Sequence, residues 1–153
     1  MVASGTFGYA SEFSGLCNLT KLGAIVTKTI TSKPRQGNPC PRTCETASGL
    51  INSIGLENPG IDVFLADKLP QVSSIGVPVI VSIASEGDPE EFTALARRLD
   101  ALSEVSAIEL NISCPNVRKD GKRGRLVSQD AEATFRTVKA VRAATTKPLI
   151  TKL

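Results

Sequence analysis

The residues best suited to chemistry lie in one run, Ile108-Glu109-Leu110-Asn111-Ile112-Ser113-Cys114-Pro115-Asn116. An apolar strand pattern stops there at a polar cluster, and residues just past a strand end are open to a ligand. Asn111 and Asn116 each offer amide donors and a carbonyl acceptor. Cys114, when ionised, accepts a proton. Pro115 restricts the backbone of Cys114 and so limits where its thiol points. The chain has no histidine, which removes the usual general base and every histidine-dependent triad. Proton transfer then falls to Cys, Lys, Asp, Glu or Tyr. Lys28 and Lys152 each close a strand pattern; alone they would be solvated tips, but on one rim of a barrel such residues read as catalytic. Cys17, Cys40 and Cys44 match no zinc or iron–sulfur spacing, so they read as packing or loop positions and no metal site is expected. A disulfide or metal half-site at Cys40 and Cys44 is the minor alternative.

Positioning these groups requires a scaffold, and the segments alternate. Strand patterns run over Ala24–Thr27, Val77–Ile83, Ala107–Ile112 and Pro148–Leu153, and Val2 with Ala3 reads as the end of a further strand. A short helix is expected over Ser11–Leu19 and another over Ile61–Leu69. A third spans Pro89–Leu99, capped by Asp88, with Phe92, Leu95, Ala96 and Leu99 on one face. A fourth spans Asp130–Ala144, grouping Phe135, Val138, Val141 and Arg142. Consecutively apolar strands separated by amphipathic helices mean parallel βα units. No strand leads into a G-x-G-x-x-G turn, which disfavours a dinucleotide fold. The stretch from Thr29 to Pro59, rich in Pro and Gly, reads as a long functional loop over the C-terminal rim. The expected fold is α/β, a (β/α)₈ barrel of about 250 residues when whole. Residues 1–153 read as a single incomplete barrel domain, its N-terminal part, cut after about the fifth strand.

Composition narrows the functional classes. Apolar residues make up 41% and charged residues 22%, ordinary for a soluble globular chain. A net charge of +3 is too small to argue for nucleic acid or a membrane surface, and the absence of Trp removes stacking platforms. No apolar run approaches the roughly 20 residues of a membrane span. The start, Met1-Val2-Ala3-Ser4-Gly5, lacks the basic region of a signal peptide. A cytoplasmic protein is expected.

Six motifs occur in register: Ala3-Ser4-Gly5-Thr6-Phe7-Gly8-Tyr9, Thr27-Lys28-Thr29, Arg35-Gln36-Gly37-Asn38-Pro39, Asn52-Ser53-Ile54-Gly55-Leu56-Glu57-Asn58, Asn111 to Asn116, and Thr151-Lys152-Leu153. Together they resemble class 1 dihydroorotate dehydrogenase, most of all the catalytic subunit of its NAD-linked branch. The resemblance covers the whole chain but about the first half of such an enzyme. It implies an FMN-binding barrel that oxidises dihydroorotate to orotate in pyrimidine synthesis, with a proton leaving C5 and a hydride passing from C6 to flavin N5. Cys114 matches the catalytic base. Ser4, Gly5, Lys28, Thr29, Ser82, Asn111 and Lys152 match cofactor contacts. Lys28, Asn52, Ser53, Ile54, Gly55, Leu56, Asn111 and Asn116 match substrate contacts. The branch implies a homodimer of catalytic subunits within a heterotetramer, completed by an electron-transfer subunit carrying FAD and a 2Fe–2S cluster. The final acceptor, NAD or fumarate, stays open.

The chain departs from that pattern in places. Ser82 and Ser85 stand where the family usually has Asn and Gly. The stretch from Val117 to Ser128 is longer and more basic than the usual lid, and the extra charge could draw in an anionic substrate. The flavin phosphate site is expected on later loops, so the chain as given should hold FMN poorly. Two alternatives stand beside the main reading. One is a dihydropyrimidine dehydrogenase-type flavin enzyme, which tends to have histidine at the position of Asn116. The other is an inactive half-barrel that acts only through a partner, motivated by its unpaired edge.

Overall fold

The computed structural model describes residues 1–85, 88–115 and 126–153. Among the described residues six strands are formed: β1 (Ile25–Val26), β2 (Thr43–Thr46), β3 (Gly49–Asn52), β4 (Val79–Ile83), β5 (Val105–Asn111) and β6 (Leu149–Lys152). β1, β4, β5 and β6 make one parallel sheet in the order β1-β4-β5-β6, and β2 and β3 form a separate antiparallel hairpin. The expected strand at Val2–Ala3 is not formed. Thr6 N–H donates to Ala3 O at 3.2 Å, closing a turn through Gly5 at φ 83°, and Val2 packs against the core instead. The parallel sheet therefore has four described strands where about five were expected.

Two strands begin later than their apolar patterns because of proline. Pro78 and Pro148 have no N–H to give a ladder. Their carbonyls still serve, accepting from Ile25 N–H at 2.9 Å and Ile108 N–H at 3.0 Å.

The helices cover one face of the sheet. α1 (Gly60–Val63) and α2 (Leu69–Ser73) are joined without a break by a π-wound stretch, Phe64–Lys68. The expected helix at 61–69 is thus longer by a turn. Pro70 gives the reason: its ring would press on the carbonyl four residues back, at Ala66, and the widened π turn lies there. α3 (Pro89–Asp100) starts as expected, with the Asp88 carboxylate accepting from Glu90 N–H at 2.9 Å, a cap worth about 1 kcal/mol. α4 (Ala131–Arg142) is capped by Asp130, which accepts from Ala133 N–H at 3.0 Å. On α4 the inward face is Thr137, Val138 and Val141, whereas Phe135 is 60% exposed, lying on the flank of the stripe beside Lys139. In place of the helix expected over 11–19 there are two short 3-10 turns, Ser11–Phe13 and Leu19–Lys21. Gly15 lies between them, and Asn18 caps the second through Thr20 N–H.

Alternation along the strands sorts two layers. Ile25, Val79, Val81, Ile83, Ile108, Leu110 and Ile112 pack with Phe64, Phe92, Leu95, Leu99 and Val141 in the main core. Ala24, Val26, Ile80 and Ala107, with Ile150, form a smaller cluster on the opposite face. Two residues further along those strands, on that same opposite face, stand Ser82, Glu109 and Lys152, and Asn111 follows Glu109. The face turned away from the helices thus changes from apolar to polar toward the strand ends. A barrel interior is layered in this way, with its site at the C-terminal rim.

The segment from Thr29 to Pro59 is not an open loop. It contains the β2–β3 hairpin, whose eight residues are all exposed, with Leu50 and Ile51 prominent. Arg42, at the hairpin base, is ion-paired with Glu57 and donates to Asn38 O at 3.1 Å.

Candidate functional site

A cavity of about 190 Å³ opens at the strand ends, lined by Ser4, Gly5, Lys28, Thr29, Asn52, Ile54, Gly55, Leu56, Asn111 and Cys114. Residues drawn from positions 4 to 114 of the chain thus meet at one place. Each element delivers its share for a local reason. Gly5 adopts φ 83°, and a Cβ there would stand 4.0 Å from Lys28 Nζ, so the missing side chain leaves the turn open beside the ammonium. Thr29 follows β1 after an irregularity at which Lys28 N–H bonds Gly8 O at 2.9 Å rather than the sheet.

The Asn52–Leu56 segment is held from behind. Asn38 donates from Nδ2 to Ser53 O at 2.6 Å and from its backbone to Ile54 O at 3.0 Å. Gly55 sits at φ 78° with Asn38 N only 2.9 Å from where a Cβ would lie, so no larger residue fits without movement. Leu56 is also left-handed, at φ 58°, and 5% exposed. A buried leucine in that region costs of order 1 kcal/mol and persists because its surroundings hold it. Asn58, buried, locks the exit of the segment: Oδ1 accepts from Thr31 N–H at 3.1 Å and Gly60 N–H at 3.0 Å, and Nδ2 donates to Leu56 O at 2.9 Å.

Not every expected site residue lines the cavity. Ser53 presents its carbonyl to Asn38, as described. Ser82 is fully buried behind Thr29, its hydroxyl 3.0 Å from Thr29 Oγ1 and 2.8 Å from Glu109 Oε1. Lys152 pairs in register with Asn111 on β6, half-buried, outside the cavity lining. Asn116 lies outside the described residues. Cys114 is half-buried and, like Cys17, Cys40 and Cys44, a free thiol. Three supporting residues had no role in the sequence reading: Asn38, Asn58 and Glu109. For Glu109 the signal was present, the one charged residue of β5, flanked by Ile108 and Leu110. Among the described residues no group of three or more Cys, Asp or Glu side chains could hold a metal ion. None of the described helices is long and apolar enough to cross a membrane.

A parallel βα sheet with a polar cavity at its strand ends is the arrangement of the α/β class to which barrel proteins belong, and in barrels the C-terminal rim is where ligand sites lie. The dihydroorotate dehydrogenase of Eimeria tenella, solved in complex with ferulenol, superposes with a TM-score of 0.71 at 23% identity, over 94% of this chain and 39% of that one. The fold is accordingly α/β and part of a (β/α)₈ barrel. The chain belongs to the dihydroorotate dehydrogenase family, whose sequence profile matches residues 1–153. It is 50% identical to the catalytic subunit of dihydroorotate dehydrogenase B (NAD(+)) of Geobacter sulfurreducens and 48% identical to that of Geobacter metallireducens. Each match covers all of this chain and 49% of the relative. The chain spans about half the length of the curated relatives it matches.

Proposed function

We propose that this chain supplies the substrate-facing half of a dihydroorotate dehydrogenase that oxidises dihydroorotate to orotate in pyrimidine synthesis. The observation that carries the reading is the convergence of Cys114, Lys28, Asn111 and the Asn52–Leu56 segment on one cavity. Cys114 takes the proton from C5 of the substrate, a role that a thiolate can fill in a cavity without histidine. Asn52 and Asn111, neutral and with both donor and acceptor atoms, read the edge of a planar pyrimidine. Lys28 balances negative charge, whether on the substrate carboxylate or on a reduced ring.

The residues fit FMN. Ser4, Gly5, Lys28, Thr29 and Asn111 would hold its ring, with Gly5 leaving space that a Cβ would fill beside Lys28. When bound, FMN supplies the two-electron acceptor for the hydride from C6. A cavity of about 190 Å³ is smaller than the roughly 300–1,000 Å³ that encloses a whole ligand. These residues therefore form one wall of a larger site, to which Lys152, Ser53 and Asn116 would add contacts, with Ser82 supporting Thr29 from behind. By its likeness to catalytic subunits of the NAD(+) type, the full protein passes electrons to a partner subunit with FAD and a 2Fe–2S cluster. We place the assembly, a heterotetramer built on a catalytic homodimer, in the cytoplasm.

The test is single-turnover bleaching of bound FMN by dihydroorotate in the full-length chain. Cys114→Ala should slow bleaching by about 10²–10⁴-fold while FMN stays bound. Bleaching at the wild-type rate would remove Cys114 from the role of base.

A further inference from the structure

Thr29 joins the cavity to the buried interior. Its Oγ1 lies 2.9 Å from Ser4 Oγ, 3.0 Å from Ser82 Oγ and 3.1 Å from Asn111 Nδ2. Ser82 is also 2.8 Å from Glu109 Oε1, and Glu109 is 8% exposed on the middle of β5. Ser4, Thr29 and Asn111 line the cavity, while Ser82 and Glu109 stand behind it.

A count of protons gives this network a direction. Each hydroxyl has one proton and two lone pairs, and a carboxylate has only acceptors. The Ser82 hydroxyl donates to Glu109 Oε1. Its oxygen can then only accept from Thr29, so Thr29 donates to Ser82. Thr29 is left with two lone pairs for two neighbours. Ser4 must donate to it, and Asn111 must turn its amide N–H toward it. The opposite orientation of Asn111 would set two acceptors against each other with no proton between them.

We propose that Glu109 is a positioning residue that fixes, through Ser82 and Thr29, the hydrogen-bonding face this cavity shows its ligand. Ser4 Oγ is left as an acceptor. Asn111 is left with Oδ1 and one N–H, for which no partner is recorded among the described residues. That pattern complements a ring edge bearing an N–H donor next to a carbonyl. The proposal rests on the flavin–pyrimidine reading above, because both orotate and the flavin ring carry such an edge.

The experiment is a set of double substitutions in the full-length chain, read by thermal unfolding without ligand, by FMN retained after dialysis and by the orotate Kd. Asn111→Asp places an acceptor-only group against Thr29, and should lower the Tm and weaken ligand binding. Adding Ser82→Ala frees the Thr29 proton for the new carboxylate. Adding Glu109→Gln instead lets the new amide donate to Ser82, which can then donate to Thr29, and Thr29 to the carboxylate. Each should therefore raise the Tm of the Asn111→Asp chain. In the Asn111 background the same two substitutions should weaken binding by about 2- to 10-fold, the value of one hydrogen bond. Weakening confined to orotate assigns the acceptors to the substrate ring, and weakening confined to FMN assigns them to the flavin; both support the proposal. If Asn111→Asp alone fails to fold, recovery of folded protein in the doubles supports it equally. Losses that add, or doubles no better than Asn111→Asp, overturn it. A wild-type chain that holds neither FMN nor orotate sinks the dehydrogenase reading, while ligand-free unfolding still decides the direction of the proton chain.

Discussion

At the scale of single residues, the two lysines that look alike in sequence occupy different places. Lys28 lines the cavity with its Nζ beside Gly5. Lys152 stands on β6 opposite Asn111, half-buried and apart from the cavity lining. Lys28→Ala is therefore expected to weaken both FMN and orotate in the full-length chain. Lys152→Ala is expected to lower the reduction potential of bound FMN, by withdrawing positive charge, with a smaller effect on orotate. Potentiometric titration and orotate binding measure the two effects. Unchanged potential, flavin content and affinity in both variants would end the flavin assignment of these lysines. Tyr9 shows a residue that packing has taken out of chemistry. It is 8% exposed against Phe64, and burial, then the Glu12 charge, holds its hydroxyl well above the ordinary tyrosine range. It stays neutral and is no candidate for the base.

At the scale of elements, α3 and the α4–β6 connection are held together by one carboxylate. Asp100, in the last turn of α3, accepts from Thr145 Oγ1 and from Thr146 N–H, both at 2.7 Å. The Thr145 hydroxyl first, then the Thr146 amide, hold the Asp100 carboxyl down at about 2. A carboxyl lowered in the folded state adds stability that is full above its unfolded value, near 3.8, and is lost as pH falls toward about 2. Asp100→Asn should therefore be less stable than wild type at neutral pH. It should also lose less stability between about pH 4 and pH 2. Urea midpoints across that range test it, and parallel acid limbs would show that Asp100 does not titrate against these hydrogen bonds. The other clasp, at the hairpin base, works on the site itself. The Arg42–Glu57 pair, Asn38 and Asn58 together clasp the Asn52–Leu56 segment to the rest of the fold.

At the scale of the whole molecule, β1 and β6 each have a sheet neighbour on one side only among the described residues. β6 is half-buried along its whole length, and Leu16, Phe135 and Leu153 expose apolar surface. Unpaired parallel edges invite pairing with other chains. The 153-residue chain is expected to self-associate and to purify without yellow FMN absorbance, while a chain extended through the remaining strands to the length of its relatives should be soluble and yellow. Light scattering coupled to size exclusion, with an absorbance spectrum, checks both. A monodisperse monomer holding one FMN per chain would place the phosphate site within these residues and end the view that they form one wall of a larger site.

Part of the candidate cavity's lining was legible in the sequence, because residues that end a strand in a parallel βα array share one rim whatever their separation along the chain. Lys28, Asn111 and Cys114 could be placed on that ground, whereas Ser4 and the Asn52–Leu56 segment, which end no parallel strand, were identifiable by family resemblance alone. The parallel strands and the α3 cap were readable too, since period, proline and capping residues act locally. Tertiary structure alone decided the rest. Whether Ser82 meets a ligand or a buried carboxylate depends on which residue of β5 stands beside it, and that register is a long-range fact. The long Pro- and Gly-rich stretch could not be read as a hairpin and a clasped wall, because Asn38, Arg42, Glu57 and Asn58 act across the fold. Val2 and Ala3 carried strand-like residues, but the turn that Gly5 closes removed them from the sheet. Glu109 was visible as the one charged residue of β5; only the three-dimensional neighbours, Ser82 and Thr29, connected it to the cavity.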